Sequence, residues 1–154
     1  MWRQEKLKNI SKVFTDGNWI ETKDQSEDGI RLVQTGNIKT GSFSDRIDKA
    51  RFINEDTFKR LNCTEIFEGD LLVSRLPDPV GRACLITELK DRAITAVDCS
   101  IIRLKDVILP EFACYFMQSP AYFSEVQQKV NETVDEVSIE DKYSKKSEKK
   151  DENE

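Results

Sequence analysis

Between residues 31 and 60 seven bases stand against four acids, and the same stretch carries Gln34, Asn37, Lys39, Ser42, Arg46, Lys49 and Arg51 among glycine-bearing turns. Amides and guanidinium groups hold paired donors and acceptors at the spacing of a base edge in the major groove, while a lysine ammonium suits a phosphate oxygen. The same residue types also make up ordinary solvated surfaces, so composition alone leaves DNA recognition and a plain polar face both open.

A second candidate is residues 68–86, EGDLLVSRLPDPVGRACLI. Gly69-Asp70 is a turn signal, and Leu71-Leu72-Val73 is an apolar run of strand length. Pro77 and Pro79 lack the amide hydrogen of a sheet ladder, so the chain must loop out before Gly81 releases it into Ala83-Cys84-Leu85-Ile86. The expected unit is strand, stiff loop, strand, with Arg75 and Arg82 at the feet of the loop. A stiff loop bearing guanidinium groups suits an anionic partner. Arg82, between Gly81 and a buried strand, fits a structural bond to the loop backbone equally well.

Catalysis finds little support in the residue types. With no histidine in the chain, the commonest general base and metal ligand and every Ser/His or Cys/His nucleophile pair are excluded. Cys63, Cys84, Cys99 and Cys114 lie at least 15 residues apart, without the close pairs of zinc sites. All four are expected to be structural, and no metal or cofactor is expected. Pro77-Asp78 followed by Glu88-Leu89-Lys90 matches the bare PD-(D/E)xK pattern of metal-dependent nucleases, which needs both carboxylates on one magnesium ion. The pattern is short, and Asp78 between two prolines is a poor setting for it.

The elements that must position these groups can be read in order. Leu7, Ile10 and Val13-Phe14 have helix-like spacing up to the turn at Asp16-Gly17-Asn18. Trp19, after that turn, is expected in the core rather than stacked on a base. Residues 23–29 hold no apolar side chain and read as a charged surface loop. Residues 30–34 and 51–53 read as strands, and the turns between them should leave Asn37 and Ser42 on exposed backbone. Asn54 is a helix N-cap followed by Glu55 and Asp56, with Phe58 and Leu61 facing inward. Asp70 and Asp98 are expected to tie down a turn or a strand end through backbone amides. Strands should follow at 93–97 and 100–104. Pro110 then starts a helix with an apolar stripe of Phe112, Tyr115, Phe116 and Met117, and a second helix places Tyr122, Val126 and Val130 on one face, with Val134 extending it.

Read together, Asp16-Gly17-Asn18-Trp19-Ile20, Gly29-Ile30-Arg31-Leu32-Val33-Gln34-Thr35-Gly36-Asn37-Ile38, the 68–86 unit and Ala96-Val97-Asp98-Cys99-Ser100-Ile101-Ile102-Arg103 resemble a target recognition domain of a type I restriction-modification specificity subunit. The four blocks match in order and spacing, from Trp2 to about Val130. The resemblance implies a non-catalytic module that reads double-stranded DNA through Gln34, Asn37, Lys39, Ser42, Arg46, Lys49, Arg51, Arg75 and Arg82. It also implies a methyltransferase subunit as partner and, through it, a restriction and translocase subunit. Specificity subunits of this kind carry two recognition domains joined by long helices. After Val130 neither sustained heptads nor the proline-rich ending is present, so the resemblance leads to the expectation of one such domain: a lone half-subunit, a truncated product or an excised domain.

Length and charge set the outer bounds. A chain of 154 residues allows one domain of ordinary size, expected over residues 1–134 as an α+β, sheet-rich mixed domain with short strands, a small central helix and two C-terminal helices. Residues 135–154, with eight acids and five bases, are expected to be a disordered tail. The longest apolar run is six residues, 112–117, and the N-terminus has no apolar signal core, which points to the cytoplasm rather than a membrane. A formal net charge of −5 means that DNA binding would rest on a local basic face and that non-specific affinity would be weak. A domain that keeps the fold but binds only protein is the third reading beside recognition and nuclease.

Overall fold

The computed structural model describes residues 5–128. Among the described residues ten strands and three α-helices follow one another. The first half holds β1 (Ser11–Asp16), β2 (Ile30–Val33), β3 (Ile38–Lys39), β4 (Ser42–Phe43), β5 (Arg51–Ile53), α1 (Glu55–Arg60) and β6 (Glu65–Ile66). The second half holds β7 (Leu71–Ser74), β8 (Ala83–Leu85), β9 (Ala93–Thr95), β10 (Cys99–Leu104), α2 (Pro110–Phe116) and α3 (Pro120–Gln128). One sheet has the order β1-β10-β7-β8, a second the order β5-β2-β9-β6, and β3-β4 is a separate two-residue hairpin. The α+β, sheet-rich class with two C-terminal helices is the observed one.

The apolar runs explain the layering. In the first sheet Leu71, Val73 and Ile102 point toward α2 and α3, where Tyr122 and Met117 close one core. The alternate residues Leu72, Cys84, Cys99 and Ile101 point the other way and meet Val33, Ile38, Ile66 and Ile86 in a second core. A sheet buried on both faces needs uninterrupted apolar strands rather than alternating ones, which is why Leu71-Leu72-Val73 is continuous. Beyond the second sheet Ile30, Leu32, Ile53 and Ile94 pack with Phe58 of α1 and with Leu61, which caps its C-terminus, in a third core. Asn54 caps α1 by accepting the Thr57 amide at 2.8 Å.

Three expectations are corrected. The helix-like spacing at the N-terminus resolves into a single 3-10 turn, Leu7–Ile10, and Val13 and Phe14 lie on β1, because pairing with β10 outweighs the local pattern. Trp19 is 69% exposed rather than in the core, since the turn at Gly17 swings it outward. A side chain at Gly17 would run into the carbonyl oxygens of Thr95 and Ala96, so the bend there is fixed by close backbone approach. In α2, Phe116 and Met117 are buried but Phe112 and Tyr115 face out, a one-sided helix in place of a wide stripe. Residues 129–154, and with them Val130, Val134 and the expected tail, lie outside the described residues, as does Trp2.

Candidate nucleic-acid interface

Residues 44–51 form a ridge between two grooves. Its start is fastened by Asn37, whose Nδ2 donates to the Ser44 carbonyl at 2.8 Å while its Oδ1 accepts the Gln34 amide at 2.9 Å; the Ser44 amide in turn donates to the Asn37 carbonyl at 2.7 Å. With both ends of its amide on backbone, Asn37 is buried and acts as a clamp, which corrects the expectation that it lies on exposed backbone. A 3-10 turn at Ile47–Lys49 follows, and the ridge ends in β5, an edge strand of the second sheet.

On one side of the ridge is a groove of about 540 Å³. Arg46, Lys49 and Arg51 line it together with Gln34 and Gln25, and none of its lining residues is acidic. Arg46 Nη1 lies so close over Gly36 that an added Cβ would sit 3.2 Å from it, which is why that wall must be thin. Arg51 Nη1 donates to Gln25 Oε1 at 2.9 Å. Gln25 itself is held by the adjoining turn, where Asp24 Oδ2 accepts the Glu21 amide at 3.0 Å and its Oδ1 pairs with Arg60 at 3.0 Å. The amide, followed by the guanidinium, holds the Asp24 carboxyl below its ordinary value.

On the other side lies a larger groove, about 880 Å³, with Phe43, Leu85 and Tyr115 among its apolar lining and Asp45, Glu88, Asp91 and Glu111 among its acids. Arg31, at the start of the basic stretch, turns this way and pairs with Asp45 at 2.8 Å. Ser42 lines this groove, and Lys39, on β3, is exposed outside both.

The loop between β7 and β8 uses its two arginines differently from the ridge. Arg75 pairs with Asp16 at 2.7 Å on the surface. Arg82 is buried, its Nε donating to the Ile38 carbonyl at 2.7 Å and its Nη atoms to the carbonyls of Leu76 at 2.8 Å, Pro79 at 3.2 Å and Thr35 at 3.1 Å. Of the two roles open to Arg82, the structure places it in the structural one. Asp70 accepts the Phe67 amide at 2.8 Å and pairs with Arg103 at 2.8 Å, tying down its turn as expected, whereas Asp98 is exposed and takes the Arg75 amide through its carbonyl.

The nuclease pattern does not assemble. Asp78 sits in the loop before β8, whereas Glu88 and Lys90 lie beyond the other end of that strand and line the larger groove, which Asp78 does not. Among the described residues no group of three or more His, Cys, Asp or Glu side chains could hold a metal ion. The four cysteines are free and buried. Burial pushes the Cys84 thiol up to about 12 and the Cys99 thiol up to about 11.

Gln25 and Ser26, which complete the smaller groove, were missed by sequence reasoning as part of a charged loop. They reach it through an isolated antiparallel bridge between Ser26 and Phe52, a pairing that no local pattern announces.

No family model and no curated protein matches the sequence. The fold is nevertheless that of chains from type I restriction-modification systems. One solved structure, described for complex assembly and conformational transition of the type I R-M system, aligns with a TM-score of 0.62 at 14% identity over 88% of this chain and 32% of that one. A second, the HsdS subunit from Thermoanaerobacter tengcongensis, aligns with a TM-score of 0.56 at 14% identity over 75% of this chain and 27% of that one. The chain thus spans about a third of the length of these structures or less.

Proposed function

We propose that this chain is a DNA sequence-recognition module of the type I restriction-modification kind, without catalytic activity of its own. The observation that carries the reading is the convergence of Arg46, Lys49, Arg51, Gln34 and Gln25 on one groove lined by no acid, in a chain whose net charge is −5. Lysine at the rim suits phosphates, and arginine and amide groups suit base edges. The shared fold supports the same role, and with it a methyltransferase subunit that the module directs to a half-site. No helix among the described residues is long and apolar enough to cross a membrane.

The test is binding-site selection on the chain in complex with a cognate methyltransferase subunit. A defined half-site is expected, with affinity that falls only moderately with salt because few phosphates are contacted. Selection of no sequence would contradict the reading. So would magnesium-dependent cleavage by the purified chain that vanished in Asp78→Ala and Glu88→Ala.

A further inference from the structure

We infer that Gln25 and Arg51 form one reading unit in the smaller groove and that it selects guanine. The inference rests on the DNA-recognition reading of that groove and adds to it the base that is read.

The chemistry follows from one hydrogen bond. Arg51 Nη1 donates to Gln25 Oε1 at 2.9 Å. An arginine carries donors and no acceptor, so the glutamine amide has to turn its oxygen toward it, leaving the two Nε2 hydrogens on the side away from the guanidinium. A free glutamine reads adenine in a two-point contact, accepting from N6 and donating to N7. One of the two lone pairs on Gln25 Oε1 is taken by Arg51 and the other adjoins that cation, so the two Nε2 hydrogens and the remaining guanidinium N–H groups make the pair chiefly a donor. Guanine presents two acceptors on its major-groove edge, N7 and O6, whereas adenine presents one acceptor and one donor and cytosine a donor. A donor-rich unit is matched by both guanine acceptors, whereas thymine offers one and the donor of adenine or cytosine has at most one lone pair to meet.

A phosphate also offers only acceptors, and the backbone setting favours the base edge. Gln25 N donates to the Thr22 carbonyl at 3.1 Å, and Ser26 N donates to the Phe52 carbonyl at 2.8 Å, so the residues next to Gln25 and Arg51 are bonded to each other across the groove wall. The separation of the two side chains is thus set by strand pairing, the fixed geometry that base reading requires. Lys49, on the 3-10 turn of the ridge, is free of that constraint and better placed to follow the backbone. No carboxylate competes for the unit within the groove, because Asp24 is turned to Arg60 and the Glu21 amide.

The experiment is site selection on the complex with a cognate methyltransferase subunit, comparing wild type with Gln25→Glu and Arg51→Ala, each checked for an unchanged melting temperature. Wild type should select a half-site containing guanine. Both variants should lose about 5- to 150-fold of the preference for guanine at one and the same position and leave the other positions as they were. Gln25→Glu keeps a partner for Arg51 but replaces the outward donors by an acceptor, so preference there should move toward cytosine, whose N4 donates. If Arg51→Ala does not fold, Gln25→Glu carries the test alone. Equal weakening on all sequences would mean a phosphate contact and overturn the inference, as would an unaltered guanine preference. Wild type that selects no sequence overturns the recognition reading itself, and this inference with it.

Discussion

Two grooves share one ridge and differ in almost every physical respect. The larger has an apolar lining and four acids, with Arg31 already paired to Asp45. The smaller is polar, lined by two arginines, a lysine and two glutamines and no acid. Net charge averages over both, which is why a chain of −5 can hold a face suited to an anion. The ridge itself is divided: Asp45 and Ile47 line the larger groove, and Arg46 and Lys49 line the smaller.

The largest effect expected is one that breaks both grooves together. Arg82 bonds the carbonyls of Thr35 and Ile38, the ends of the turn that joins the two walls, as well as two carbonyls of its own loop. Arg82→Ala should remove all four charge-assisted bonds at once and cost about 3 kcal/mol, read as a drop in denaturant midpoint. A near-neutral result would mean that the walls are held by something else.

Single alanine changes in the smaller groove should separate binding from stability. Arg46→Ala and Arg51→Ala should each cost about 1 to 3 kcal/mol on the preferred site and relax its sequence, while Lys49→Ala weakens all sequences alike and lowers the salt slope by about one. All three should leave stability within about 0.5 kcal/mol, because their side chains support no core. Asp91→Ala and Glu111→Ala in the larger groove should leave DNA affinity intact or slightly higher. Loss of binding there would erase the distinction between the grooves.

A smaller effect is expected at acid pH. The folded value of Asp24 is depressed, so the stability it contributes is complete above the ordinary carboxylate value and is lost as pH falls through the lowered one. Asp24→Asn should therefore be the less stable protein at neutral pH, with the gap to wild type closing on acidification. Circular dichroism along an acid titration measures this, and a constant gap would show that the carboxylate charge contributes nothing. The smallest effect concerns the buried thiols: Cys84 and Cys99, raised to about 12 and about 11, should resist a thiol reagent at pH 8 until the chain is unfolded.

The fold was legible where local pattern and tertiary demand agree. Asn54 before two acids, Pro110 at a helix start and the continuous run Leu71-Leu72-Val73 each have one good structural solution, and each takes it. Val13 and Phe14 were misread because β10 supplies their partners Arg103 and Ile102, 90 and 88 residues away, which the local spacing cannot reveal. The same holds at the site. Arg46, Lys49 and Arg51 were visible as a basic cluster, but the buried clamp at Asn37 and the place of Gln25 depend on contacts with Ser44 and Phe52 across the fold. Arg82 and Arg51 are the same residue type at short strands, and only burial distinguishes the guanidinium closed on carbonyls from the one exposed in the smaller groove.

The most direct measurement places a photo-crosslinking side chain at Lys49, in the smaller groove, or at Tyr115, in the larger, and exposes the complex with methyltransferase subunit and duplex DNA to light. Crosslinking to DNA from position 49 and none from position 115 is the expected result. DNA captured from position 115 and not from position 49 would contradict it, and would put the duplex on the acidic side of the ridge.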